Sequence, residues 1–258
     1  MRLDLQKAGI LKRISAYILD FILILILSVG FACLFSAIFG YSKHEQTLDA
    51  RREYYVSEYG IEEFSKEFAL SEAELAELTE EQRTAYVAAA TAFEKDEAAI
   101  RAWSMIISLS FLIITLSLLF TFLVLEFAIP LVLGNGMTVG KKIFGIGVMH
   151  ENYVRIKPVT LFVRAILGKY TIETMVPVYL VLMILFGSLG IVGSVVLLGI
   201  LILQIVMLVT TKTNSAIHDL LSHTVCVDYA SQMIFENADE VTAFKAQCAR
   251  EAAEKSDN

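Results

Sequence analysis

The stretch Arg13-Ile14-Ser15-Ala16-Tyr17-Ile18-Leu19-Asp20 opens an apolar run that ends at Phe39. Of the 26 residues from Ile14 to Phe39, only Asp20 is charged. A helix of that length extends about 39 Å, which exceeds the ~30 Å hydrocarbon core of a bilayer. A helix in a globular core does not need this length, so the stretch predicts a membrane-spanning helix.

The two charges at the start of this helix need partners. A carboxylate well inside a bilayer costs about 2.5–3.5 kcal/mol on insertion scales, so Asp20 is expected to face protein or water rather than lipid. Arg13 lies seven residues before Asp20, about two helical turns away, which is too far for direct contact. We therefore expect each side chain to find its partner in a distant part of the chain.

Composition agrees with a membrane protein and gives an orientation. Hydrophobic residues make up 56% and charged residues 19% of the 258-residue chain, which is typical of membrane proteins. Residues 130–172 carry six cations and one carboxylate, whereas residues 41–101 carry seven cations and fifteen carboxylates. The positive-inside rule then predicts a multi-pass cell-membrane protein whose N-terminus, 130–172 loop and polar tail (231–258) are cytoplasmic.

A basic N-terminus before an apolar run is also typical of a signal peptide. The run is too long for the apolar region of such a peptide, and Asp20 lies inside it. We therefore expect a retained span. None of the three cysteines falls in the 41–101 segment, so no disulfide framework is indicated.

Further spans follow from the apolar runs. Trp103 to Leu125 is 23 residues without a charge, and Glu126 marks its cytoplasmic end. Val176 to Val209 is 34 uncharged residues, about 51 Å as a helix. A turn at Gly187–Gly190 would divide this run into two spans, although its first half is short, and a re-entrant pair is the alternative. The expected fold is an all-α membrane protein with four transmembrane helices, three being the alternative.

Residues 41–101 are predicted to form an acidic, extracytoplasmic helical insertion. Ser71 to Glu74 and Thr79 to Gln82 both fit the capping box. No Gly or Pro occurs between Glu80 and Pro130, so the last outer helix is expected to run straight into the second span. The acids lack EF-hand spacing and recur as on a helix surface, which favours a solvated face over a calcium site.

The cytoplasmic part is predicted to contain a small sheet and a surface helix. Residues 146–149 and 153–156 flank a turn and suggest a β-hairpin, with 224–228 as a candidate third strand. Residues 160–173 suggest a surface helix. The glycine-rich loop 134–145 lacks the spacing of a phosphate-binding loop, so we expect a turn that brings backbone close to its neighbours.

Three motifs occur in order around the predicted spans. They are Arg13-x-x-Ala16-x-x-x-Asp20, Gly136-x-Thr138-x-Gly140-Lys141 and His218-Asp219-Leu220-Leu221-x-x-Thr224-Val225-x-Val227. Together they resemble the RDD family of bacterial integral membrane proteins, named for an arginine and two aspartates. The resemblance covers residues 5–40 and 102–230, from which the 41–101 insertion departs. It implies a membrane domain and suggests transport of an unspecified ligand; some relatives have been proposed to be cation/proton antiporters.

The resemblance suggests Arg13, Asp20 and Asp219 as the name-giving residues and as a polar centre. The predicted supporting residues are Lys141, Arg164 and His218. Asp20 has two interpretations. It is either a carboxylate that binds a proton or a cation, or a structural tie to Arg164, Lys141 or a helix N-terminus.

Other classes of function find little support in the sequence. His218, Asp219 and His223 are a weak metal pattern, and neither a metal nor another cofactor is predicted. No catalytic triad or zinc-protease motif occurs, so enzyme activity is not expected. The cations lie at predicted membrane borders, where lipid headgroups are the expected partner rather than nucleic acid.

Two function hypotheses remain from the sequence. One is a small transporter, expected to be a homo-oligomer because four spans provide little wall for a path. The other is a non-transporting scaffold or regulatory protein that binds a protein partner through residues 41–101.

Overall fold

The computed structural model describes residues 4–61, 68, 70–185, 190–210 and 216–256. The fold is mostly helical with one small antiparallel sheet, as expected. The helices are α1 (Ile10–Phe39), α2 (Tyr41–Glu58), α3 (Glu72–Glu77), α4 (Glu80–Glu94), α5 (Glu97–Phe122), α6 (Ile129–Leu133), α7 (Val139–Ile143), α8 (Pro158–Phe162), α9 (Val176–Leu185), α10 (Gly190–Thr210), α11 (Ile217–Leu221) and α12 (Ala238–Ser256). The strands are β1 (Ile146–His150) and β2 (Thr224–Asp228).

Within the described residues, three helical stretches are long and apolar enough to cross a membrane. They are Ile10–Phe39, Glu97–Leu133 and Pro158–Leu185. The 21-residue α10 is also apolar, and its length of about 31 Å makes it the candidate for a fourth crossing. The predicted turn at Gly187–Gly190 lies outside the described residues, which resume only at Gly190.

The second candidate span continues beyond Glu126, where the sequence suggested its end. α5 passes into a π-helical segment, Leu123–Ala128, and then into α6. Pro130 lies directly after the π-helical segment, and because it has no N–H it cannot donate a backbone hydrogen bond to the preceding turn of this continuous helix. Glu126 is therefore buried within a continuous helix rather than solvated at its border.

Residues 160–173 are helical as predicted, but the prediction that this helix lies on the surface is wrong. α8, the π-helical segment Val163–Met175 and α9 form one helical stretch from Pro158 to Leu185, 28 residues long. Arg164 and Lys169 point into the protein, and their side chains are only 3% and 12% exposed. A charged helix is buried here because carboxylates on other elements neutralise it. Because the helix begins at Pro158 rather than near Val176, this candidate span has 28 residues and is no longer too short to cross a bilayer.

The sheet differs from the predicted hairpin. β1 pairs antiparallel with β2, with Ile146 opposite Asp228 and His150 opposite Thr224. The segment 153–156 makes only isolated bridges, including one from Arg155 to Met149. The strand expected to be the third is therefore the main partner of β1. Local spacing favoured the hairpin, but the long-range pairing has the buried side chains on both strands.

The chain before α1 is attached to this sheet. Ala8 N–H donates to the Cys226 carbonyl at 3.4 Å, and Asp228 N–H donates to the Gln6 carbonyl at 2.9 Å. Lys12 Nζ lies 2.7 Å from Asp228 Oδ1. The sheet thus sets where α1 begins.

The chain forms two compact units. The first, here called the charged unit, comprises Met1–Val29 and Leu118–Asn258. The sheet contributes much of its core, since Val148, Met149 and Val227 are fully buried. The second, here called the outer unit, comprises Gly30–Ser117.

Both predicted capping boxes are present in the outer unit. Ser71 N–H donates to Glu74 Oε2 at 2.8 Å, and Glu74 N–H donates to Ser71 Oγ at 3.4 Å. Thr79 and Gln82 form the same reciprocal pair at the start of α4. These bonds satisfy amides that have no partner inside the helix, which explains why α3 and α4 begin where the sequence predicts.

The predicted continuous helix from residue 80 into the second span is wrong. α4 ends at Glu94, and Asp96 starts a new helix because its Oδ1 accepts the N–H groups of Ala98 and Ala99 at 2.7 and 3.1 Å. This is N-cap geometry. The absence of Gly and Pro did not reveal the break, because a capping aspartate can end one helix and begin the next.

Candidate functional site

Asp20 is held by the loop after the second candidate span. Thr138 Oγ1–H donates to Asp20 Oδ2 at 2.5 Å, and Gly140 N–H donates to Asp20 Oδ1 at 2.8 Å. Thr138 is also the N-cap of α7. Of the three partners considered from the sequence, the structure therefore selects the helix N-terminus, and within the described residues Asp20 makes no ion pair.

Gly140 is required by the close approach of α1 and α7. A Cβ at this position would lie 2.3 Å from the Ala16 carbonyl oxygen and 3.0 Å from the Asp20 carboxylate. Any side chain would separate the two helices and lengthen the bonds to Asp20. The glycine-rich loop thus provides the close backbone approach that the sequence predicted.

Asp219 is the centre of a second group of charges. Arg164 lies 2.6 Å from its Oδ1, and Arg13 lies 3.7 Å from its Oδ2. Burial opposes the charged form of Asp219, but Arg164, His218, Lys141 and Arg13 outweigh it and hold the pKa of this carboxyl well below its usual range. The expected partner of Arg13 is therefore Asp219, more than two hundred residues away in sequence.

His218 is bound on both sides by carboxylates. Its Nδ1 lies 2.8 Å from Glu173 Oε2, and its Nε2 lies 3.5 Å from Asp219 Oδ1. Burial nevertheless lowers the pKa of His218, because desolvation outweighs the attraction of the two carboxylates. No cluster of three metal-ligating side chains occurs in the part of the chain that the structure describes.

Glycine again permits close contact where α11 meets the third candidate span. A Cβ on Gly168 would lie 2.5 Å from His218 Cβ and 2.7 Å from His218 Cα. The bare backbone at Gly168 therefore sets the position of α11. This contact brings His218 to Glu173 and Asp219 to Arg164.

The pair Glu126–Lys169 was missed by sequence reasoning. Lys169 Nζ lies 2.5 Å from Glu126 Oε1, and both side chains are largely buried. Glu126 lies in the first π-helical segment and Lys169 in the second. π-helical turns often occur at functional sites. The available signal was one acid at the end of an apolar run and one base in a segment that also carries Arg164 and Glu173.

Lys141 lies on α7 and is 9% exposed. Burial lowers its pKa from 10.5 to about 8, and the positive charges of Arg164 and Lys169 act in the same direction. Among the described residues, its ammonium has no carboxylate within ion-pair distance. It is the one predicted supporting residue that the structure leaves without a direct partner in that part of the chain.

These residues define a buried cluster in the charged unit, here called the charge cluster. Its members are Arg13, Asp20, Glu126, Lys141, Arg164, Lys169, Glu173, His218 and Asp219. Four are cations and four are carboxylates, so their charges cancel while His218 is neutral. The structure brings Arg13, Arg164 and Asp219 into direct ion pairs, whereas Asp20 is attached separately, through α7.

Among the described residues, three helices are long and apolar enough to cross a bilayer, and charged side chains are buried against one another. These features place the chain in the class of membrane proteins. The chain belongs to the RDD family, whose family model matches residues 7–223. The match also spans the 41–101 insertion, which the three motifs do not cover. No curated protein and no solved structure matches the chain.

Proposed function

We propose that this RDD-family membrane protein is a small, non-enzymatic transporter and that the charge cluster interacts with the ion it moves or couples to. The observation that carries the proposal is the Glu126–Lys169 pair, at 2.5 Å. It lies within two helices that are long and apolar enough to cross a membrane. Ionisable side chains at such positions are expensive, and they commonly mark ion pathways or proton relays.

The local backbone supports this assignment. Both members of the pair are on π-helical segments, where the i→i+5 pattern changes the face that a side chain occupies. A purely structural tie is available without such distortion, since carboxylates and cations pair readily on regular helices. Here both side chains project from π-helical turns, and they meet between the second and third candidate spans.

Topology and assembly form part of the proposal. The basic 130–172 segment favours a multi-pass arrangement in the cell membrane with the N-terminus in the cytoplasm. Three or four spans enclose little space, so we propose that the working form is a homo-oligomer surrounded by lipid. Labelling of cysteines introduced by Tyr59→Cys and Tyr229→Cys, both at exposed positions, tests the arrangement, because the proposed topology has these two positions on opposite sides of the membrane.

The test is ion flux in proteoliposomes. A pH-sensitive dye inside the vesicles reports proton movement when Na⁺, K⁺ or Li⁺ is added outside. Removing both charges of the pair, by Glu126→Gln with Lys169→Met, avoids leaving one charge buried alone. We expect this double variant to stay folded and to lose flux.

The matched control removes an exposed pair. Arg155 and Glu236 lie 2.9 Å apart with their side chains 45% and 66% exposed, and such surface pairs contribute little. Arg155→Gln with Glu236→Gln should retain wild-type flux. A folded Glu126→Gln/Lys169→Met variant with unchanged flux would reject the proposed role.

A second candidate function is supported by the outer unit. It has a core of its own, formed by Val56, Ile61, Tyr86 and Ala89, and the sequence of residues 41–101 is strongly acidic. We propose, as the alternative, a scaffold or regulatory protein whose outer helices bind a basic partner. Deleting residues 45–98 should then abolish the cellular phenotype while the rest of the membrane protein stays folded, and a silent deletion contradicts this alternative.

A further inference from the structure

Lys141 is the charge-cluster member whose environment least favours its charge. Its backbone N–H donates to the Thr138 hydroxyl at 3.3 Å, which holds the residue in the first turns of α7. The residue is only 9% exposed. Among the described residues, no carboxylate lies within 4.0 Å of its ammonium.

The groups around Lys141 come from four other elements. The second π-helical segment supplies Arg164 and Lys169, and the first supplies Glu126. Asp219 on α11 also interacts with it electrostatically, as does Cys226 on β2. Two of these neighbours are cations that repel an ammonium.

Both nearby carboxylates are already bound by other cations. Asp219 is bound by Arg164 at 2.6 Å, and Glu126 by Lys169 at 2.5 Å. Lys141 is therefore the surplus cation between two complete ion pairs. Burial without a direct counter-charge favours the neutral amine of a lysine.

Asp20, a carboxylate without an ion pair among the described residues, is attached to α7, the helix that carries Lys141. Asp20 accepts hydrogen bonds from Thr138 and Gly140, one on the N-cap and one inside α7. These donors are neutral. Asp20 and Lys141, neither of which has a direct ion pair among the described residues, therefore both involve α7, and α7 contacts α1 through Asp20.

We propose that the side chain of Lys141 is a proton-binding site, which exchanges a proton near neutral pH while the Arg164–Asp219 and Lys169–Glu126 pairs stay intact. One N–H bond of the ammonium breaks, the electron pair stays on Nζ, and the proton passes to water. The neutral amine is no longer repelled by the neighbouring cations Arg164 and Lys169. The change alters the total charge of the cluster by one and acts on α7, which holds α1 through Asp20.

This site deepens the proposed function by supplying the proton that a coupled transporter needs, but its titration does not depend on transport. The folded-state pKa of about 8 lies below the unfolded value of 10.5. Between these values the unfolded chain binds more protons, so the stability of the folded protein rises with pH across that window. A lysine on the surface gives no such rise.

The experiment is NMR of the full-length protein in nanodiscs, with ¹³C-labelled lysine side chains followed from pH 6 to 11. Lys141→Arg identifies the Lys141 signal by its loss, and Lys142→Arg removes the exposed neighbour as the matched control. We expect the Lys141 signal to titrate with a midpoint about 8. A midpoint at about 10.4, the ordinary value for lysine, overturns the proposal.

A second measurement covers the case in which Lys141→Arg does not fold. The melting temperature of Lys141→Met, which places an uncharged chain of similar length in the site, is compared with that of the wild type across the same pH range. We expect Lys141→Met to be the more stable at pH 7 and the difference to shrink toward pH 10.5. A constant difference contradicts the proposal.

The two proposals fail separately. A wild-type protein that moves no ion but whose Lys141 titrates near neutral pH refutes transport alone. Flux that depends on Glu126 and Lys169, together with a Lys141 that titrates as on a surface, refutes the proton site alone.

Discussion

At the scale of single residues, buried charges in this protein are neutralised by residues from distant parts of the sequence. Arg13 and Arg164 both reach Asp219, and Lys169 reaches Glu126. Asp20 is bound by neutral donors instead, and Lys141 has no carboxylate within ion-pair distance among the described residues. A buried carboxylate held in this way depends on every donor being in place.

The first prediction concerns Asp20→Asn. Asparagine carries no negative charge, so neither the Thr138 hydroxyl nor the Gly140 N–H then bonds a charged group, and the Thr138 hydroxyl must turn to accept from the amide NH2. Hydrogen bonds to charged groups contribute about 1.5–3 kcal/mol. We expect the free energy of unfolding in detergent to fall by about this amount, which lowers the melting temperature. In proteoliposomes the variant should also lose flux.

Asp49→Asn is the control for that change. It weakens a pair with Arg52 in which the Asp49 side chain is 56% exposed, and it should leave both melting temperature and flux close to wild type. A folded Asp20→Asn protein that melts and transports like the wild type contradicts a role for Asp20.

The sequence alone identifies some of these buried charges and not others. An acid alone in a long apolar run is conspicuous, so Asp20 could be selected without a structure. Glu126 and Lys169 could not, because Glu126 stands at the end of an apolar run and Lys169 in a segment with other charges, where such side chains are normally solvated. Only the three-dimensional contact shows that they are buried together.

At the scale of elements, the contact between the second π-helical segment and α11 positions His218 and Asp219. The contact depends on Gly168, because its missing side chain leaves room for the backbone of His218. The close approach at Gly168 brings Arg164 and Glu173 of the π-helical segment to Asp219 and His218 of α11.

The second prediction is that Gly168→Ala weakens this contact. The added methyl group would lie 2.7 Å from His218 Cα, and backbone cannot move aside as a flexible side chain can. Overpacking of this kind costs about 1–3 kcal/mol, which a thermal or denaturant melt can measure. Gly199→Ala in α10 meets no atom within 4 Å and should be neutral or slightly stabilising. Equal effects of the two changes would refute the proposed role of Gly168.

Elements differ in how well the sequence predicts them. α1 and both capping boxes follow from local patterns, namely an apolar run and paired residues three positions apart, and they were predicted correctly. The pairing of β1 with β2 and the inward turn of residues 158–175 depend on partners far along the chain. The break at Asp96 is local, but it is made by a side-chain cap rather than by Gly or Pro.

At the scale of the whole molecule, the chain comprises two compact units with separate cores. The charged unit contains the charge cluster. The outer unit is organised around Asp96, whose carboxylate also accepts a hydrogen bond from Arg51 Nε at 2.6 Å and one from the Tyr55 hydroxyl at 3.1 Å.

The third prediction is that the outer unit loosens in acid. Burial opposes the charge on Asp96, but the N–H groups of Ala99 and Ala98 and the side chain of Arg51 lower its pKa from 3.8 to about 2. Because the folded-state pKa is the lower one, the stabilisation is complete above pH 3.8 and is lost as the pH falls toward 2. Hydrogen exchange of residues 80–100, corrected for its intrinsic pH dependence, should rise in that window.

Asp96→Ala should raise exchange in the same peptides already at pH 6, since loss of an N-cap costs about 0.5–2 kcal/mol. Asp49→Ala, at an exposed pair with Arg52, is the matched control and should behave as the wild type. Protection of residues 80–100 that is unaffected by acid and by Asp96→Ala would show that the cap does not organise this unit.

The claim on which everything else depends is that charges from α1, the third candidate span and α11 meet in one buried cluster. A double-mutant cycle on Arg164 and Asp219, using Arg164→Met and Asp219→Asn and measuring unfolding free energy in nanodiscs, tests it most directly. Asp219→Asn leaves Arg164 buried without its carboxylate, and Arg164→Met leaves Asp219 with only the longer contact to Arg13. Each single change should cost about 3–5 kcal/mol, whereas the double change should cost clearly less than the sum. Strictly additive losses would show that the two residues do not interact, and the cluster as described would not exist.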